Sequence, residues 1–259
     1  MEITIKGKGH LNVRICDTIE QMGASAADFV TAKLGRTIAE KGFANLILAT
    51  GTSQFTFLDA LKQREVAWDK ITVFHLDEYI GLPISHKASF RKYLKERILD
   101  GVAPKQVHLI NGDAPYIQKE MDRYRQLLEA HPIDLACIGI GENGHIAFND
   151  PHVADFQDDK LIKEVDLDYE CRSQQFGEGW FPSLKEVPEK ALTLTIPTIM
   201  GSETISCVVP DARKANAVFN TLNQSITEKH PATILRRHKD CTLFLDSSSA
   251  GKIRGMEAI

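Results

Sequence analysis

The chain has 259 residues, with 31 Lys plus Arg against 35 Asp plus Glu and a net charge of −4 with neutral His. At 43% hydrophobic and 25% charged residues, the composition excludes disordered, collagen-like and disulfide-scaffold classes. The mild acidity leaves no electrostatic footprint for nucleic acid.

The five cysteines, Cys16, Cys137, Cys171, Cys207 and Cys241, are far apart and form no C-x-x-C pair. That argues against a disulfide framework and a structural zinc site, and the reducing cytoplasm is the expected location. The opening MEITIKGKGHLNVRI has no secretory pattern. No stretch approaches the ~18 apolar residues of a membrane span, so no membrane partner is expected.

In chain order, the Ala-rich stretch 24–40 predicts a helix and LILA at 46–49 a buried strand. A turn at 50–53 leads into a helix over 54–63, and ITVFHL at 71–76 predicts a second strand. Helices are expected over 88–99 and 117–130, and a third strand over 133–140. Further strands are expected at 191–196, 204–209 and 241–246, with a helix over 211–222 between the last two. The stretch 150–188 is charged and rich in Gly and Pro, and reads as a long loop or lid. The alternation predicts an α/β fold: a mostly parallel sheet with helices on both faces, in a single domain over 1–259. Ligands of such sheets sit beyond the carboxyl ends of the strands. Three polar clusters follow such ends and should converge.

Thr50-Gly51-Thr52-Ser53 combines a turn-permitting Gly, hydroxyls and a helix N-terminus. It reads either as an anion loop or as an ordinary helix cap. His75-Leu76-Asp77-Glu78-Tyr79 places two acids after an apolar strand; each is either a solvated cap or a general base in a dry cleft. Gly139-Ile140-Gly141-Glu142-Asn143-Gly144-His145 runs on to Asp150, five residues beyond the imidazole. Its glycines, Gly144 among them, let a ligand approach the backbone. A loop here either pairs His145 with Asp150 or leaves an exposed His on a glycine turn. His10, His86, His108, His131, His152, His230 and His238 read as solvated, and Cys137 and Cys207 as core.

HLDEYIGLP at 75–83, INGDAP at 110–115, GIGENGHIAFNDP at 139–151 and VPEKALTLTIPTIM at 187–200 resemble the glucosamine-6-phosphate isomerase/6-phosphogluconolactonase family. The likeness runs from about 20 to 246. D-E-Y and G-H-I-A-F-N are more similar to its deaminase branch than to the D-E-R and G-H-T-A-S of its lactonase branch. The resemblance implies a Rossmann-like fold with a lid near 152–188, no cofactor and no metal. It also implies conversion of glucosamine 6-phosphate to fructose 6-phosphate and ammonia. It casts Asp77 as the base moving a proton from C2 to C1 and His145 as the group that opens the ring. Asn143 and Asp150 take the places that tune that histidine. Thr50, Gly51, Thr52, Ser53 and Lys214 take the phosphate-binding places. The chain departs from the pattern at Asp150, where Glu is usual, and at Asn143, where Asp is usual. Gln174-Gln175-Phe176 stands where a phosphate-binding Arg is expected, with Arg172 nearby as its substitute. The stretch 152–163 lacks the basic residues of an activator site. The partner implied is a sugar phosphate. Homo-oligomers are open, since relatives range from monomers to hexamers. A lactonase, a related sugar-phosphate isomerase and a non-catalytic sugar-phosphate binder are the alternative readings.

Overall fold

A computed structural model describes residues 3–6 and 9–253. Its elements run β1 (Ile3–Lys6), β2 (Asn12–Ile15), α1 (Ile19–Lys41), β3 (Ala44–Leu48), α2 (Phe55–Lys62), β4 (Ile71–His75), β5 (Asp77–Tyr79) and α3 (Phe90–Arg97). There follow β6 (Gln106–Val107), α4 (Ile117–Ala130), β7 (Leu135–Ile138), β8 (Ile162–Asp166), α5 (Tyr169–Gly177) and β9 (Lys190–Leu194). The last are α6 (Ile196–Met200), β10 (Thr204–Val209), α7 (Ala215–Asn223) and β11 (Cys241–Leu245). The main sheet has the order β1-β2-β11-β10-β7-β3-β4-β6. Only β1 runs antiparallel to its neighbour.

Every residue of β3, β4, β7, β10 and β11 is buried. The cause is a cover on both faces, which continuous apolar runs require. Ile47, Phe74 and Ala136 face one core with Tyr124 and Leu128 of α4 and Val218 and Leu222 of α7. Their neighbours Leu46, Leu48, Val73 and Leu135 face the other, with Val30 of α1, Leu58 of α2 and Leu94 of α3. The fold class is the one the alternation predicts.

Helix α1 is longer than its Ala-rich middle suggests. The Thr18 hydroxyl accepts the N–H of Gln21 and starts it, and left-handed Gly42 ends it by donating to the carbonyl of Ile38. Gly23 lets α1 press on α2, since a Cβ there would meet the Thr56 backbone at 2.7 Å. Helix α3 is shorter than 88–99, because Ser89 caps it and Ile98 leaves helical geometry. The helix expected over 211–222 opens with a 3-10 turn at Ala212–Lys214.

Two expectations are corrected. The apolar run near 191–196 is a strand, but β9 lies outside the parallel sheet, antiparallel between β5 and β8. The stretch 150–188 is not an irregular loop. It carries β8 and α5, and Val165, Leu167, Cys171, Phe181 and Val187 form a third core with Tyr79 and Phe148. All five cysteines are free and buried. Among the described residues, no helix is long and apolar enough to cross a membrane.

Candidate active site

The carboxyl ends of β3, β4, β7 and β10 open on one cavity of about 240 Å3. The loop after β3 supplies Thr50, Gly51, Thr52 and Ser53 to its wall, and β5 supplies Asp77. Gly141 and His145 come from the turn after β7, and Asp211, Arg213 and Lys214 from the turn after β10. The three polar clusters therefore converge as expected, and the β10 turn adds a fourth.

Gly51 adopts φ 97°, which a side chain disfavours, and turns the chain into the 3-10 turn Thr52–Gln54 ahead of α2. The Tyr93 hydroxyl fixes this bend by donating to the Gly51 carbonyl at 2.8 Å.

The adjacent acids part company. Asp77 lines the cavity and is 7% exposed. Burial holds its pKa well above the usual carboxylate range; the charges of Glu78 and Asp150 add to this, and the N–H of Phe148 works against it. Glu78 points the other way and is fully buried. It accepts the N–H groups of Tyr79, Phe90 and Arg91, the Ser89 hydroxyl at 2.9 Å and Arg91 Nε at 3.3 Å. It is therefore an internal cap of the α3 N-terminus, not a solvated one. Arg91 also donates to Asp113 at 2.8 Å, which ties the 110–115 segment to the same knot.

His145 Nδ1 lies 2.9 Å from Asp150 Oδ1. Asn143 Nδ2 donates to the same oxygen at 2.8 Å, and Asn143 Oδ1 accepts the N–H of His145 at 3.0 Å. Burial disfavours the Asp150 charge, yet the His145 charge and bonds from His145, Asn143 and Cys171 outweigh it and hold the pKa at about 2. An ionised acceptor at Nδ1 keeps the proton there and leaves Nε2 as the free acceptor of neutral imidazole. The shorter acid reaches its histidine without a gap. The ring packs on Gly141, where a Cβ would come within 2.2 Å of it. Ala147, a non-glycine residue on the cavity wall, has φ 52°. Strain of this kind costs of order 1–3 kcal/mol and clusters at functional sites.

Lys214 lines the cavity, nearly buried, and its pKa is lowered by burial. Asn143, Gly144 and Asp150 do not line it; they stand behind His145. Gly144 serves the turn, at φ 92°, and its carbonyl accepts the N–H of Ala232. Arg172 does not line the cavity either. One α5 face, one turn apart, carries Cys171 and Gln175 inward, which leaves residue 172 to the side. Its guanidinium donates to the carbonyls of Leu184 and Val187. Gln174 and Gln175 reach the wall instead, and the Tyr79 hydroxyl donates to Gln175 Oε1 at 2.7 Å. Lys87, Tyr93, Glu178 and Trp180 also line the cavity. None stands in a motif; only the fold brings them in. His238, expected to be solvated, is buried, with Nε2 2.8 Å from the Ser202 carbonyl. Among the described residues, no group of three or more His, Cys, Asp or Glu side chains is placed to hold a metal ion.

Fold and cavity together define a Rossmann-like α/β protein with a cluster of titratable groups at its strand ends: a buried carboxyl, a carboxylate-oriented histidine and a buried lysine. Comparison with known proteins narrows this. The family described as glucosamine-6-phosphate isomerases/6-phosphogluconolactonase matches residues 17–244. The chain belongs to that family. A glucosamine-6-phosphate deaminase of Exiguobacterium sp. is 38% identical over 217 residues, which span 82% of this chain and 84% of that one. The deaminase of Streptococcus agalactiae is 32% identical over 230 residues, 87% of this chain and 97% of that one. A solved monomeric glucosamine-6-phosphate deaminase superposes with a TM-score of 0.84 at 32% identity, covering 93% of this chain and 99% of that one. A 6-phosphogluconolactonase of Thermotoga maritima shares the fold, with a TM-score of 0.74 at 18% identity.

Proposed function

We propose that the chain is a glucosamine-6-phosphate deaminase, which converts glucosamine 6-phosphate and water to fructose 6-phosphate and ammonia. One observation carries this reading. The raised-pKa carboxyl of Asp77 and the Asp150-oriented His145 face the same cavity as Lys214 and the Thr50–Ser53 loop. Aldose–ketose isomerisation needs one base that reaches two adjacent carbons, and Asp77 takes that role. Its raised pKa brings it nearer the working pH, where a general base is most effective. It removes the C2 proton of the open-chain sugar and returns it to C1. The resulting C2 imine takes up water and releases ammonia. Nε2 of His145 handles the ring-oxygen proton, and Asp150 and Asn143 hold the ring in that tautomer. The 3-10 turn after β3 and Lys214 receive the phosphate, Lys214 as a point charge. The segment 152–188, with β8 and α5, acts as the lid, and Gln174 and Gln175 stand at its cavity side in place of an arginine.

The test is a coupled assay for ammonia and fructose 6-phosphate, with glucosamine 6-phosphate and purified protein. Turnover at ~1–10³ s⁻¹ is expected, the ordinary enzyme range. Folded protein that makes no ammonia, but hydrolyses 6-phosphogluconolactone, overturns the reading in favour of a lactonase.

A further inference from the structure

Three cations line the cavity: Lys87, Arg213 and Lys214. Arg213 is matched by Asp211 at 3.1 Å and Glu142 at 3.5 Å. Lys87 Nζ donates to the Gly179 carbonyl at 3.2 Å. The Lys214 ammonium forms no hydrogen bond or ion pair among the described residues. A buried cation without a partner has lost hydration and gained nothing in return, so an anion is favoured beside it.

The acid that acts most strongly on Lys214 is Glu178, ahead of Glu142 and Asp211. Glu178 follows α5 and lines the same cavity. Its carboxylate is held in place: Gln174 Nε2 donates to Oε1 at 3.2 Å, and Trp180 Nε1 donates to Oε2 at 3.3 Å. Its charge also reaches Arg213 and Tyr93, whose hydroxyl bonds the Gly51 carbonyl. Of these neighbours, Tyr93 touches the Thr50–Ser53 loop, and Arg213 and Lys214 stand on the turn after β10. Yet Glu178 stops short of an ion pair with Lys214.

We propose that Glu178 is a specificity-determining residue, an internal counter-anion that faces Lys214 across the phosphate end of the cavity and holds down its affinity for bare phosphate. The proposal rests on reading the Lys214 end as the phosphate end. A phosphate placed on Lys214 meets a fixed carboxylate of like sign. That repulsion lowers the affinity of a dianion about tenfold. The site therefore stays open in the presence of inorganic phosphate, and a ligand must bring further contacts to hold it.

Inorganic phosphate is the probe, at constant ionic strength made up with chloride. Trp180 fluorescence is the readout, because its indole bonds Glu178 while Trp68 packs in the α1–α2 core. Glu178→Gln is expected to bind phosphate about tenfold more tightly than the unmodified chain, and a further Lys214→Ala change to abolish that gain. Glu178→Ala serves as the second variant should the first fail to fold. Equal or weaker binding by the folded variants overturns the proposal and leaves the proposed activity untouched. Absence of phosphate binding by every form overturns both the proposal and the reading of Lys214. No ammonia production by the unmodified chain, with the tenfold gain intact, defeats the activity alone.

Discussion

Asp77→Asn tests whether one side chain carries both a catalytic benefit and a stability cost. Asparagine keeps the shape and removes the base. A general base contributes ~10²–10⁴-fold, so turnover of glucosamine 6-phosphate should fall by at least 100-fold. Stability should move the other way. The folded pKa of Asp77 lies above its ordinary value, chiefly through burial. Below the unfolded pKa, near 3.9, the group is protonated in both states and contributes nothing. As pH rises past that value the unfolded chain ionises first and folding weakens, until pH passes the folded pKa. Each pKa unit of difference costs about 1.4 kcal/mol, and Asn escapes the whole cost. The variant should therefore melt higher than the unmodified protein at pH 7–8 and by a smaller margin near pH 4. The assay pairs thermal melts at both pH values with coupled ammonia release. A variant that melts lower at pH 7–8, or keeps turnover within tenfold, refutes the reasoning.

Two further outcomes follow from buried groups. Asp150→Glu should lower turnover and cost ~1–3 kcal/mol of stability, because the aspartate already meets His145 at 2.9 Å in a fully buried site and an added methylene pushes the carboxylate past that contact. Steady-state kinetics and urea melts check this, and a gain in activity contradicts it. His75 is fully buried; burial, then the charges of Arg91 and Arg123, lower its pKa to about 3. Above pH 6.5 it is neutral folded or unfolded, whereas between pH 6.5 and 3 only the unfolded chain takes the proton. Stability should fall by about 1.4 kcal/mol per pH unit in that window on its account. His75→Gln, whose amide oxygen can still accept the N–H of Ile110, should flatten the urea-midpoint slope between pH 6.5 and 4 by about one proton; an unchanged slope rules His75 out.

Part of this molecule is written plainly in its residues. β3, β4, β7, β10 and β11 are buried on both faces, so each must be a short apolar run, and glycines and polar residues must follow where the cavity opens. The second sheet has no such mark. β5 is the tripeptide Asp77–Tyr79, and β8 buries only Ile162 and Val165 of its five residues. β9 does read as apolar, but periodicity does not say which sheet a strand joins or in which direction. The amphipathic signal of α5 is weak for the same kind of reason: its buried residues, Cys171 and Gln175, are small or polar. An arginine a few residues from the expected position is thus easily mistaken for a wall residue.

The second sheet nevertheless explains why the most family-like segments are the ones they are. Asp77 is the first residue of β5 and pairs with Thr193 of β9, so the 187–200 segment positions the proposed base. The Thr193 hydroxyl accepts the N–H of Phe148, and Asn149 Nδ2 donates to the carbonyls of Ile146 at 2.9 Å and Leu194 at 2.8 Å. The turn that carries His145 and Asp150 is thereby pinned to the same strand. Gly112 packs on β5 itself, since a Cβ there would come within 2.0 Å of the Tyr79 carbonyl. Segments far apart in the chain meet on β9, and each loses its partner if another shifts. β9 therefore ties Asp77 and the turn that carries His145 to one strand. A substitution at Thr193 should disturb both groups together, although its side chain does not line the cavity.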